Sequence, residues 1–106
     1  MRSFFTKIVG VSFENENGSL RQDLISELDS VPCTLTLMRE ADNPHDCNAI
    51  AIFDPKGRQL GYLSRSIAIQ MAKLIDSGIS VYAHAIQVTG GWPLHYGVNI
   101  KVHYEW

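Results

Sequence analysis

The sequence predicts a mainly β fold with two helices. Six strands in the order β-α-β-β-β-α-β-β curl into a partly closed antiparallel barrel. Three observations lead there. The apolar stretches are short and separated by tight turn signals. No run of strand–helix–strand units links them, which argues against a parallel sheet. The chain has 106 residues, 45% of them hydrophobic and 19% charged. That length can bury roughly two thirds of its unfolded surface, a modest core for one domain over residues 1–106.

The first strand is expected over Lys7 to Phe13, where Ile8, Val9, Val11 and Phe13 are good strand formers. Gly10 within it marks a bulge or a close backbone approach. Glu14 to Gly18 is a polar turn. Ser19 then reads as a helix N-cap, with Gln22 completing a capping box. Leu20, Leu24, Ile25 and Leu28 recur at helical spacing and are expected to face the core. Ser30-Val31-Pro32 stops this helix.

Cys33 to Met38 alternates as a second strand. Arg39 to Asn48 is polar and irregular. Ala49 to Phe53 and Gln59 to Leu63 form a hairpin around Asp54-Pro55-Lys56-Gly57, with proline and glycine where a tight reversal needs them. Ser64 is placed to cap a second helix through about Ser77. Ile67, Met71, Leu74 and Ile75 make its apolar stripe, and Gly78 suits its left-handed C-terminal position. Ile79 to Val88 and Tyr96 to Tyr104 are the last two strands, joined by a loop at Thr89 to Leu94.

Charge is unevenly spread. The formal net charge is -2, which excludes a strongly basic nucleic-acid coat. Residues 1–54 hold four basic and nine acidic residues, and residues 55–106 hold five basic and two acidic ones. The second half is therefore able to supply a mildly positive face. No apolar run approaches the ~20 residues that span a bilayer. The N-terminal stretch is interrupted by Lys7 too early to be a signal peptide. A cytoplasmic location and no membrane contact are the expectation. Cys33 and Cys47 have no metal-ligand spacing and are expected to be buried thiols.

The stretch Arg39-Glu40-Ala41-Asp42-Asn43-Pro44-His45-Asp46-Cys47-Asn48-Ala49-Ile50 carries the most information. Asp42, Asn43, Asp46 and Asn48 are suited to Asx turns, which would make the segment a rigid loop held by its own side chains. Asn43, His45 and Asp46, clustered around Pro44 at a loop tip, also point to ligand binding. Together with Ile8-Val9-Gly10-Val11, Gly61-Tyr62-Leu63, the helix Ala68 to Ile75 and Val88-Thr89-Gly90-Gly91, this segment resembles the HIRAN domain. The resemblance covers nearly the whole chain.

That resemblance implies an OB-like barrel and a non-catalytic binding module. It implies no cofactor and no metal. HIRAN domains of fork-remodelling DNA-repair helicases capture the 3′-hydroxyl end of single-stranded DNA, and a helicase or nuclease in another chain would do the work on that DNA. Asn43 and Asp46 correspond to the pocket for the terminal nucleotide, and His45 stands where tyrosine is common. The expected DNA-binding set is Asn43, Asp46, His45, Arg39, Lys7, Asp42, Asn48, Tyr62 and Arg65, with Lys73 as a further candidate cation. A carboxylate such as Asp46 accepts a hydrogen bond from a sugar hydroxyl and repels a terminal phosphate. The family's aromatic pair before the first-strand glycine is replaced by Lys7-Ile8-Val9, which leaves Phe4, Phe5, Trp92 and Tyr96 as candidate stacking rings.

Two other readings stand beside this one. A protein-interaction module would use an exposed strand edge. A metal-dependent phosphodiester hydrolase would gather Asp42, His45, Asp46 and Cys47.

Overall fold

A computed structural model describes residues 1–28 and 30–105. Its elements are β1 (Arg2–Lys7), α1 (Arg21–Ser26), β2 (Cys33–Arg39), β3 (Ile50–Phe53), β4 (Gln59–Tyr62), α2 (Arg65–Asp76), β5 (Val81–Thr89) and β6 (Gly97–Tyr104). The strands form one six-stranded sheet in the order β1-β6-β5-β2-β3-β4, and every pairing is antiparallel. This is the expected curled, mainly β architecture with two helices.

The sheet closes on itself at one point. Just past β1, Val9 forms an antiparallel bridge to Tyr62 of β4, the opposite edge strand. The Val9 N–H donates to the Tyr62 carbonyl at 2.9 Å, and the Tyr62 N–H donates back at 3.0 Å. The concave side of the sheet is filled by Ile25, Leu35, Ile50, Ile52, Leu60, Val98, Ile100 and Val102, all fully or nearly fully buried. Helix α1 packs beside β4 and α2 beside β5.

The first strand departs from the expected range. It spans Arg2–Lys7 rather than Lys7 to Phe13. Gly10 adopts φ +71°, and the Phe13 N–H turns back to the Gly10 carbonyl, so strand geometry ends there. The adjacent Phe4 and Phe5 hide the alternation upstream. Phe4 faces inward against Tyr104, and Phe5 faces solvent.

Helix α1 departs as well. Leu20, not Ser19, holds its N-cap position, and no side chain caps it. The Ser19 hydroxyl is held by the loop, donating to Asn17 Oδ1 at 2.6 Å. Gln22 does not close a capping box. Its amide donates to the Val11 and Tyr96 carbonyls and accepts from the Tyr96 N–H. Val11 and Tyr96 lie outside the strands, and satisfying their backbone groups outweighs the cap. The helix is turned so that Arg21, Leu24 and Ile25 are buried, while Leu20 is 48% exposed. In α2, Ser64 sits at the N-cap position without a capping bond, and its hydroxyl oxygen is buried with no partner among the described residues. Ala68, Met71 and Ala72 are its buried residues, with Ile67, Leu74 and Ile75 packed around them.

The β3–β4 hairpin is locked by a buried carboxylate. Asp54 is 2% exposed. It accepts from the Lys56 and Arg58 N–H groups and from Arg58 Nε at 2.9 Å, and Arg58 continues to Glu27 at 2.8 Å. A buried charge so fully partnered fixes the turn rather than straining it. Cys33 is half-buried, and burial, then the Asp54 charge, pushes its thiol up. Cys47, expected to be buried, is exposed, because it lies on the loop before β3 and not in a strand.

Barrel closure depends on Gly61. A Cβ there would lie 2.3 Å from the Val9 carbonyl oxygen and 2.6 Å from Ile8 Cγ2. Gly61→Ala is expected to push the β1 extension off β4 and destabilise the fold by about 1–3 kcal/mol, the range for overpacking. Thermal denaturation checks this. A melting temperature equal to that of the parent chain would show that closure tolerates a methyl group.

Candidate functional site

The Val9–Tyr62 bridge and the 40–49 loop shape two neighbouring grooves that share one wall. Arg21, Asn43, His45 and Tyr62 line both. The first groove, about 540 Å³, is completed by Val9, Gly10, Phe13, Asp46, Ala49, Leu63 and Arg65. The second, about 750 Å³, runs past Glu14, Glu16, Glu40, Asp42, Arg58 and their neighbours.

The shared wall is a polar network anchored on a buried cation. Arg21 is 7% exposed, and among the described residues no carboxylate pairs with it. Its Nε donates to Asn15 Oδ1 and its Nη1 to the Gly10 carbonyl, both at 2.8 Å. The guanidinium also lies 5.5 Å from the Tyr62 ring centroid. These contacts offset part of the cost of taking a charge out of water. The Tyr62 hydroxyl donates to Glu40 Oε1 at 2.9 Å, and Asn43 Nδ2 donates to the same oxygen at 2.9 Å. The wall thus reads Arg21, Tyr62, Glu40, Asn43, each touching the next.

Asn43 also builds the loop tip. Its Oδ1 accepts from the His45 N–H at 2.8 Å and from the Asp46 N–H at 3.2 Å. Asp46 spends one oxygen in the same way, accepting from the Asn48 N–H at 2.9 Å. Its other oxygen, Oδ2, faces Arg65 Nε at 3.6 Å. The Arg65 side chain is 71% exposed and donates as well to the His45 carbonyl. An ion pair this long and solvated is worth little in itself, so both partners are available to a ligand that offers a hydroxyl and a phosphate.

The structure brings Asn43, His45, Asp46, Tyr62 and Arg65 of the expected set to the first groove. Asp42 lies in the second. Asn48 lies behind the tip and supplies the N–H that orders Asp46. Arg39 lies outside both grooves. Its guanidinium pairs with Asp76 at 3.2 Å and donates to the Cys47 carbonyl, tying the loop to α2. Lys7 faces outward from β1, opposite Asn99. Among the described residues no three metal-ligating side chains come together, so Asp42, His45, Asp46 and Cys47 do not converge.

Phe13, Arg21 and Glu40 are among the groove residues outside the expected set. Phe13 is 65% exposed and forms an aromatic lip of the first groove. Arg21 is the buried cation in the wall that both grooves share. Its position, three and four residues before Leu24 and Ile25, is a core-facing one, and that spacing was the available signal.

The grooves differ in charge. The first has two arginines and one carboxylate, and the second has four carboxylates and two arginines. A polyanion is favoured by the first and repelled by the second.

Comparison with known proteins places this geometry. The sequence model of the HIRAN domain family matches residues 1–105. Helicase-like transcription factor from Oryctolagus cuniculus is 35% identical over 65 residues, which is 61% of this chain and 6% of that protein. The protein of the same name from Mus musculus is 37% identical over 46 residues, 43% of this chain and 5% of that protein. The chain therefore spans only a small fraction of the length of these relatives. The HIRAN domain of human HLTF superposes with a TM-score of 0.71 at 18% identity, covering 96% of this chain and 74% of that one. A protein from Lactobacillus plantarum superposes with a TM-score of 0.68 at 20% identity, covering 96% and 99%. Both share the curled six-stranded fold.

The loop tip should depend on Asn43. Asn43→Ala removes the acceptor for two backbone N–H groups and is expected to cost about 1–2 kcal/mol in urea denaturation. Amide exchange at His45 and Asp46 should accelerate. Exchange at the parental rate would show that the tip is held by other bonds.

Proposed function

The chain belongs to the HIRAN domain family, and we propose that it is a non-catalytic module that binds single-stranded DNA at its 3′-hydroxyl end. The observation that carries this reading is the first groove. There an ordered carboxylate turns one oxygen towards an exposed arginine, in a groove that Phe13 and Tyr62 also line.

Each part has a role in that reading. Asp46 Oδ2 accepts a hydrogen bond from the terminal hydroxyl, and its charge opposes a terminal phosphate. Arg65 swings from Asp46 to the first phosphate upstream. Phe13 stacks on the terminal base, an interaction worth roughly 1–3 kcal/mol. Asn43 positions Asp46 through the backbone, and its second amide hydrogen and the His45 ring line the edge of the base site. Arg21 raises the potential of the groove floor from below. Affinity in the micromolar range, about -8 kcal/mol, suits so few charges. Family membership and the helicase-like relatives support a DNA-repair or replication-fork setting for this module, with a helicase or nuclease in another chain.

The test is fluorescence anisotropy with a short oligonucleotide ending in a 3′-hydroxyl and its 3′-phosphate counterpart. The hydroxyl end should bind more tightly. Asp46→Ala should weaken hydroxyl-end binding by about 1–3 kcal/mol and erase the discrimination, with a smaller loss of stability than Asn43→Ala, since one backbone N–H rather than two loses its acceptor. Equal affinity for the two ends in the parent chain would end the reading.

A further inference from the structure

The four strands β1, β2, β5 and β6 contain no aspartate or glutamate. In a chain with eleven acidic residues, that leaves one broad sheet face without negative charge along its strands. The face turned away from the core is studded with rings. Phe5, 69% exposed, lies opposite Lys101, and Lys101 lies opposite His84. One residue pair further along, His103 lies opposite Tyr82.

These side chains are already arranged face to face. Lys101 Nζ is 5.3 Å from the Phe5 ring centroid. Tyr82 and His103 stack with centroids 4.9 Å apart and planes 13° from parallel. His84 meets His103 edge-on, with ring nitrogens 3.2 Å apart. An ordinary solvated sheet face pairs lysine with carboxylates across strands. Here the lysine has rings for neighbours. Burial, then the His84 and Lys101 charges, holds His103 below the usual histidine range.

We propose that this face is a stacking platform for single-stranded nucleic acid, which carries the strand upstream of the end held in the first groove. The proposal rests on the end-capture reading only for where the strand terminates. Planar rings with interleaved lysines and no strand carboxylates match a polymer of bases and phosphates, since each base offers a ring face and each phosphate a charge. The path is continuous. Phe5, Lys7 and Val9 alternate outward along one strand direction, and Val9 lines the first groove. At about 3.3 Å per residue, Phe5 lies roughly 13 Å from Val9, so Lys7 stands midway to take a phosphate.

The test uses the full chain and a small circular single-stranded oligothymidylate, which has no end to enter the groove. The circle should bind, and more weakly as salt rises. Phe5→Ala and Lys101→Glu should each weaken its binding about five-fold or more, the lower limit of one lost base stack, while Phe5→Tyr keeps it. Asp46→Ala should leave the circle bound as before. In the same variants at position 5 and 101, preference for a 3′-hydroxyl over a 3′-phosphate dinucleotide should be unchanged. A circle that fails to bind, or binds Phe5→Ala as well as the parent, overturns the platform whatever the end preference. A bound circle with no end preference keeps the platform and removes the end pocket. Melting temperatures of the variants confirm that each is folded.

Discussion

Two backbone hydrogen bonds between Val9 and Tyr62 set the geometry on which the rest depends. They join the opposite edges of the sheet and turn an open curl into a closed cup. The bonds are ordinary in strength, each worth about 0.5–1.5 kcal/mol net. Their position matters more than their energy. They need a residue without a side chain at position 61, and glycine is there. They bring Tyr62 under Arg21 and place Val9 on the rim. Without that closure the first groove has no floor.

From the bridge outward, the site is an ordered series of polar contacts. Arg21 rests on Tyr62, Tyr62 and Asn43 both reach Glu40, and Asn43 holds the turn that aims Asp46. Charge is sorted along the same lines. Four carboxylates line the second groove, one lines the first, and the strands β1, β2, β5 and β6 have none. A protein with net charge -2 can still offer a polyanion a path if its negative charges are kept to one side. In the proposed reading, the sorting, more than the total, decides where nucleic acid can lie.

Much of this was legible in the sequence. The order of elements along the chain, the second helix and the 54–57 reversal follow from alternation, helical spacing and turn chemistry, because each is a local property; the pairing order of the strands in the sheet is not. The Arg39–Asn48 segment stood out for its polar density, and it does form the wall of both grooves. What the sequence concealed was non-local. The Phe4-Phe5 pair masks the alternation of β1, because one ring packs against the core and the other faces out. Gln22 matches a capping box, yet it satisfies backbone groups 11 and 74 residues away in sequence. Arg21 sits where a leucine would be expected, and only the fold supplies the carbonyl, amide and ring that make its burial tolerable. Phe13 read as a strand residue until the turn at Gly10 placed it on the groove's lip.

The most direct measurement is a map of backbone amide shifts while a dinucleotide with a free 3′-hydroxyl is titrated into the isotope-labelled chain. The account predicts that the amides of Val9, Phe13, His45, Asp46, Tyr62 and Leu63 move together and saturate with one dissociation constant. Amides of Glu14, Glu16 and Asp42 in the acidic groove should stay in place. Shifts centred on the acidic groove, or none near Asp46 at saturating dinucleotide, would contradict it.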